Sequence, residues 1–189
     1  LISKKGLNFS IAGTRDNVDT FIEFLYSYER FKNMPIKTTY NDYQPFRKML
    51  VRIKKEIISM GVDDIDPFVF SGAKISPLEL NEKLNNNEDV VLLDTRNEYE
   101  VRLGTFENAI DLNLDSFRDF PNEMEYLKKT LEGKDIVMFC TGGVRCEKAS
   151  ALMLKNGFQN VRQIDGGIIN YFKETGGNHW KGDCFVFDD

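Results

Sequence analysis

The sequence predicts an α/β protein: a mainly parallel sheet covered by helices on both faces, preceded by a smaller α+β unit. Three observations predict it. Val90-Val91-Leu92-Leu93 and Ile136-Val137-Met138-Phe139 are unbroken apolar runs of strand length, as expected of strands buried on both faces. Strand-like and helix-like segments alternate from residue 76 onward, which implies parallel strands joined by helical crossovers. A turn-rich, acidic stretch, 59–75, separates that alternation from a first part of different composition.

In the first part, residues 6–13 read as a short strand, and Thr14 or Asp16 is placed to cap a helix over 17–28. Val18, Phe21, Ile22, Phe24 and Leu25 supply its apolar face. Residues 36–42 and 49–58 read as two further strands, the second alternating Val51, Ile53 and Ile57 with Arg52, Lys54 and Glu56. This order is a split β-α-β fold of the ferredoxin or acylphosphatase type, short of one strand and one helix. We expect those upstream of Leu1.

In the second part, Ser76 before Pro77, with Glu79 in the first turn, starts a helix carrying Leu78, Leu80 and Leu84. Helices over 116–130 and 146–156, a strand over 161–164 and a helix over 167–174 complete the alternation. The expected organisation is a truncated α+β domain at 1–60, a linker at 61–75, an α/β domain at 76–175 and a tail at 176–189.

The chain of 189 residues, 41% hydrophobic and 29% charged, has the mixture of a globular protein and not of a disordered or collagenous one. Its apolar runs fall short of the roughly 18 residues that cross a bilayer, and the opening residues offer no signal peptide. A cytoplasmic protein with no membrane partner is expected. Three cysteines without a repeated spacing point to free thiols, and one of them beside the only histidine, His179, is no zinc site, so no metal is expected. The net charge of −5 hides an asymmetry, because residues 1–60 carry eleven Lys and Arg against six Asp and Glu. The first part is therefore suited to an anionic partner.

The chemistry lies in Cys140-Thr141-Gly142-Gly143-Val144-Arg145, which follows an apolar strand and precedes a helix expected to begin near Cys146. Open α/β sheets bind ligands at such strand ends. Gly142 and Gly143 let the backbone curl so that its N–H groups form an anion nest, while the helix dipole and Arg145 add positive potential. A Cys140 thiolate is favoured there, and the same N–H groups suit the terminal sulfur of a persulfide. Four residues between Cys140 and Arg145 make a tighter ring than the five of the cysteine phosphatases, which favours sulfur chemistry over phosphate-ester hydrolysis.

Asp94-Thr95-Arg96-Asn97-Glu98-Tyr99-Glu100, then Gly104-Thr105-Phe106-Glu107-Asn108-Ala109-Ile110, resembles the upstream signature of the rhodanese superfamily, with Thr105 where that family usually has His. Asp165-Gly166-Gly167 with Tyr171 is similar to its closing element, and Cys140 to Arg145 to its active loop. The stretch from Phe139 to Lys148, the segment from Ser116 to Pro121 and the tail from Trp180 to Asp188 resemble the bacterial rhodanese-domain proteins that hydroxylate the wobble uridine of tRNA. Gly6-Leu7-Asn8, Ile11-Ala12-Gly13 and the stretch from Pro45 to Glu56 match their N-terminal domain, although Phe9-Ser10 departs from the usual Gly-Thr. The resemblance implies oxygen-dependent conversion of wobble uridine to 5-hydroxyuridine, with molecular oxygen as co-substrate, the loop cysteine required and the tRNA anticodon region as partner. No other cofactor is identifiable.

Around that reading, Arg47, Lys48, Arg52, Lys54 and Lys55 are either an RNA-phosphate surface, the reading we favour, or a solvated face. Cys146 either resolves a persulfide or sulfenate on Cys140 or supports it by packing, and we favour packing. Asp94 and Arg96 either buttress the loop or form an ordinary ion pair. Two rival functions are a thiosulfate or persulfide sulfurtransferase and a non-catalytic RNA- or partner-binding module.

Overall fold

The computed structural model describes residues 1–4, 6–34, 36–67 and 69–185. The chain divides into two units, one ending at Ile57 and the other starting at Ile58.

In the first unit, β1 (Ile2–Ser3) and β2 (Gly6–Leu7) form an antiparallel pair, followed by α1 (Arg15–Tyr26) and a 3-10 turn over Glu29–Phe31. Thr14 precedes the helix as its N-cap, Leu25 is buried, and Phe9 meets Phe21 edge to face. The strands expected over 36–42 and 49–58, and the longer one over 6–13, are not formed among the described residues beyond β2 and a single bridge from Ile53 to Ile2. Strand propensity yields a ladder only where cross-strand neighbours bury the side chains. Here Val51 is 68% and Ile53 84% exposed, and the pairing stops at two bonds, Ile2 N–H to the Arg52 carbonyl and Lys54 N–H to the Ile2 carbonyl.

The second unit runs β3 (Ala73–Ile75), α2 (Pro77–Asn85), β4 (Val90–Asp94), α3 (Glu98–Val101), β5 (Gly104–Phe106) and β6 (Ile110–Asp111). A 3-10 helix over Phe117–Glu123 leads into α4 (Met124–Leu131), β7 (Asp135–Phe139), α5 (Val144–Lys155), β8 (Val161–Ile164), α6 (Gly167–Thr175) and β9 (Trp180–Gly182). The main sheet has the order β3-β8-β7-β4-β6 with every pair parallel.

Side chains alternate across the sheet, so each apolar run feeds two cores. On one face Leu93, Ile136 and Met138 pack with Phe120 and Leu127 and with Ala149 and Met153 of α5. On the other, Leu92, Val137 and Phe139 pack with Leu80 of α2, Phe106, and Ile168 and Tyr171 of α6. This two-sided burial is what the continuous hydrophobicity encodes.

Three elements differ from expectation. The helix expected over 116–130 is split, because Pro121 has no amide hydrogen to extend an α-helical ladder; the 3-10 segment is started by Ser116 and α4 begins at Met124. The stretch expected as a linker packs on the second unit: Met60 and Ile65 are each 1% exposed in the first core, and residues 73–75 are a sheet strand. Its apolar side chains, sparse among turn formers, find burial that composition does not reveal. The expected tail also forms structure, since β9 pairs antiparallel with β5. Val186, Phe187 and Asp188 of the tail motif lie outside the described residues. None of the described helices is long and apolar enough to cross a membrane.

Leu93 is fully buried in β4. Leu93→Ala is expected to lower unfolding free energy by about 2–5 kcal/mol, read from urea denaturation of the whole chain.

Candidate active site

β4 and β7 pair in register, with Asp94 beside Phe139, so the segments leaving both strands emerge at one sheet end. The Thr95 N–H and hydroxyl both donate to the Phe139 carbonyl, at 3.1 and 3.0 Å, and tie the two exits together. Cys140 follows and is 2% exposed.

The loop from Cys140 to Arg145 is a curl closed on its own sulfur. Gly143 N–H donates to Cys140 Sγ at 3.2 Å, and the Arg145 and Cys146 N–H groups also reach it. These last two are available because α5 starts at Val144, two residues earlier than expected, and the first amides of a helix have no partner within it. Only one of the two loop glycines is required by its backbone: Gly143 has φ 90°, whereas Gly142 is outside the left-handed region and a Cβ on it would meet open space.

Gly167 supports the curl from beneath. Its N-terminal turn supplies Ile168 N–H to the Cys140 carbonyl at 3.0 Å and Ile169 N–H to the Thr141 carbonyl at 3.1 Å. A Cβ at Gly167 would lie 2.5 Å from the Cys140 carbonyl oxygen and 2.7 Å from Gly143 N, and its φ is +67°. The closing glycine pair of the sequence motif thus sets how closely α6 approaches the loop.

The sulfur is held as a thiolate. A hydrogen bond from the Cys146 thiol, opposed by burial and reinforced by the positive Arg145 and the two helix amides, brings Cys140 down from 9.0 to about 6. Cys146 moves the other way: burial, its hydrogen bond to Cys140 and the thiolate's charge push it well above the ordinary range. Its sulfur also lies 3.4 Å from Thr95 Oγ1. Cys146 therefore supports Cys140 by sharing its proton within a buried pair.

Arg145 is turned onto Glu100. Nη1 donates to Oε2 at 2.5 Å and Nη2 to Oε1 at 2.7 Å, with the two side chains 16% and 4% exposed. Thr141 Oγ1 donates to Glu100 Oε1 at 3.2 Å and accepts from Arg145 Nη2 at 3.3 Å. Burial alone would raise the Glu100 carboxyl, but its bonds to Arg145 and the Asn97 N–H hold it below the ordinary value.

Asp94 and Arg96 form a fully buried pair, with Nη2 to Oδ2 at 2.6 Å and Nε to Oδ1 at 3.0 Å. Thr105 donates to Asp94 Oδ2 at 2.8 Å. Arg96 Nη2 also donates to the Gly104 carbonyl at 2.7 Å and Nη1 to the Glu100 carbonyl at 3.4 Å, and its guanidinium lies over the Trp180 ring. The pair shapes the 94–105 segment, and it is Glu100 that carries this order to the loop.

Thus Cys140 to Arg145, with Cys146, Asp94 and Arg96, come together at one sheet end. Arg47, Lys48, Arg52, Lys54 and Lys55 all lie exposed in the first unit. Two contributors escaped sequence reasoning. Glu100 stands in the quoted signature, but 45 positions separate it from Arg145 and no local pattern marks their pairing. Thr95 stands in the same signature, but nothing in the sequence marks its contacts with the Phe139 carbonyl and Cys146. Among the described residues, no group of three or more His, Cys, Asp or Glu side chains is gathered as for a metal ion.

Family models match in two places: the UPF0176 acylphosphatase like domain over residues 1–57 and the rhodanese-like domain over residues 76–174. Over its whole length the chain is 45% identical to the tRNA uridine(34) hydroxylase of Cupriavidus pinatubonensis, covering 68% of that protein. The protein of the same name from Burkholderia thailandensis is also 45% identical and is covered to 67%. A rhodanese-like domain from Anabaena matches 61% of this chain and 87% of its own, with 20% identity and a TM-score of 0.49.

Three outcomes are expected. Thiolate absorbance at 240 nm should appear with a midpoint near pH 6, and Cys146→Ala should move it up toward 9.0. Unfolded, both thiols titrate near 9.0; folded, the pair loses one proton near 6 and keeps the other well above 9.0, so stability rises as pH goes from about 6 to about 9.0 and falls as pH climbs further, where the unfolded chain has lost both protons and the folded one has not. Gly167→Ala should destabilise the loop by more than about 1 kcal/mol and abolish the low-pH thiolate, while Gly142→Ala leaves melting nearly unchanged.

Proposed function

Because the chain belongs to the tRNA uridine(34) hydroxylase family and carries a rhodanese-like domain, we propose that Cys140 of that domain is its essential residue in converting the wobble uridine of tRNA to 5-hydroxyuridine. The observation that carries the role of Cys140 is its geometry: a thiolate at the C-terminal end of a central parallel strand, lined by three amide hydrogens and a neighbouring thiol. A buried thiolate of this kind is a nucleophile at neutral pH.

The base at position 34 belongs to the anticodon loop, where single-stranded bases unstack at low cost and enter an enzyme pocket. The exposed cations Arg47, Lys48, Arg52, Lys54 and Lys55 suit phosphate contacts of the kind that position RNA without reading its sequence. A tRNA substrate is met in the cytoplasm, and the protein is expected to act there. The resemblance implies dioxygen as the oxygen source. Inserting one of its atoms at C5 leaves the other to be reduced to water by two electrons and two protons, so a two-electron reductant is a required co-substrate.

A persulfide sulfurtransferase is the second reading, favoured by the same amides, which suit a terminal sulfur as well as a thiolate.

Cells depleted of this protein and complemented with Cys140→Ala should lack 5-hydroxyuridine and its derivatives at position 34, read by mass spectrometry of tRNA nucleosides, while wild type restores them. Growth under 18O-labelled dioxygen should add two mass units to the restored nucleoside. Robust release of thiocyanate from thiosulfate and cyanide, with tRNA unchanged, would support the second reading instead.

A further inference from the structure

Two of the three cysteines of the chain are buried against each other, both as free thiols. Cys140 begins the curl, Cys146 stands in the first turn of α5, and both the N–H and the thiol of Cys146 reach the Cys140 sulfur. Thr95 Oγ1, itself tied to the Phe139 carbonyl, lies 3.4 Å from the Cys146 sulfur and fixes its place. The third cysteine, Cys184, follows β9 near Asp94, Arg96 and Glu100, with its thiol directed to the Phe185 carbonyl at 3.8 Å. A thiolate with a second thiol in contact is an arrangement in which oxidation of the first sulfur is captured by the second. In the reaction proposed above, Cys146 only holds a proton.

We propose that Cys140 and Cys146 are an oxidative modification site for hydrogen peroxide, at which Cys146 captures oxidised Cys140 as an intramolecular disulfide. The Cys140 thiolate attacks one peroxide oxygen. An S–O bond forms as the O–O bond breaks, the departing hydroxide is protonated to water, and the sulfur, oxidised by two electrons, becomes a sulfenic acid. The Cys146 sulfur then attacks that sulfur: the S–S bond forms as the S–O bond breaks, and the Cys146 proton leaves with the hydroxyl as a second water. Hydrogen peroxide is what dioxygen becomes when a two-electron reductant reaches it and no oxygen enters uridine. That source rests on the uridine reading; the chemistry of the pair does not.

The geometry favours capture over further oxidation. The charge of the Cys140 thiolate and its hydrogen bond help to keep the Cys146 thiol protonated, so oxidation of Cys140 removes both and frees Cys146 to react. A Cβ on Gly142 would meet nothing within 4 Å, which gives a molecule as small as peroxide room at the loop, while burial of Cys140 keeps bulkier oxidants from its sulfur. Contact between the thiols makes the second step intramolecular, ahead of the encounter with another peroxide molecule.

The test is peptide mapping after brief exposure of the whole chain to hydrogen peroxide, with remaining thiols blocked by iodoacetamide in denaturant before digestion. Trypsin cuts after Lys134, Arg145 and Lys148, so a disulfide between Cys140 and Cys146 joins the peptides 135–145 and 146–148. The joined pair, two mass units below the sum of its reduced halves, should be the main product in the monomer band of a non-reducing gel, and dithiothreitol should release it. Cys146→Ser is compared with the wild type at a pH above 9.0, where Cys140 is a thiolate with or without its neighbour. There the variant should give no joined pair, dimedone should trap its Cys140 sulfenic acid, and longer exposure should carry that acid on to the sulfinic and sulfonic forms. Wild-type Cys140 found as sulfinic or sulfonic acid with Cys146 still blocked by iodoacetamide would overturn the proposal. So would a link through Cys184, or a chain with all three thiols intact. Should Cys146→Ser fail to fold, shown by loss of its cooperative melt, the wild-type map decides alone. None of these readouts involves tRNA, so their failure leaves the uridine reading to the Cys140→Ala nucleoside analysis.

Discussion

Everything at the site depends on the parallel, in-register pairing of β4 with β7. Five residue pairs, from Val90 with Asp135 to Asp94 with Phe139, end at one level, so the chain leaves both strands side by side. Thr95 then bonds twice to the last carbonyl of β7, and Cys140 begins its loop beside the Asp94 to Glu100 segment. A slip of one residue would reverse the faces of every side chain on β4 and exchange the two cores. Sheet register and site geometry are thus one constraint.

The site is then built by satisfying polar groups that burial would otherwise make costly. Two ion pairs lie within it, Asp94 with Arg96 and Glu100 with Arg145. Pairs of this kind repay their desolvation only when nearly every lone pair and hydrogen is matched, and breaking one typically costs about 3–5 kcal/mol because a charge is stranded. Here the matching is nearly complete: Thr105, the Gly104 carbonyl and the Glu100 carbonyl serve the first pair, and Thr141 and the Asn97 amide serve the second. Their contribution is a single arrangement of the segment from 94 to 105 and of the loop against it. Thr105 completes the first pair by donating its hydroxyl to Asp94.

Much of the second unit is legible in the sequence because its signals are local. The apolar runs at 90–93 and 136–139, Ser76 before Pro77, and the glycines around Cys140 each act within a few residues, and the structure has strands, a capped helix and a curled loop there. Pro121 was a local signal too, and it divides a segment that hydrophobicity alone makes continuous. Residues 49–58 show the opposite case: their alternation is a strand pattern, but a strand requires neighbours that the pattern does not specify. Met60 and Ile65 are apolar residues in a polar stretch, and their burial depends on a core assembled from segments up to about a hundred residues away.

The sequence by itself determined the class of fold, the candidate cysteine and the loop that surrounds it, because strand periodicity, a glycine-rich turn and a helix start are short-range properties of neighbouring residues. Only the tertiary structure decided what that loop's charges do. Glu100, Thr95 and Gly167 reach Arg145, Cys146 and the Cys140 backbone across the sheet end, and charge cancellation acts through space, between residues that chain order keeps apart. From the sequence Arg145 is a cation beside a thiol; in the folded chain it is half of a buried pair, and Cys140 keeps its negative charge through amide hydrogens and a second cysteine.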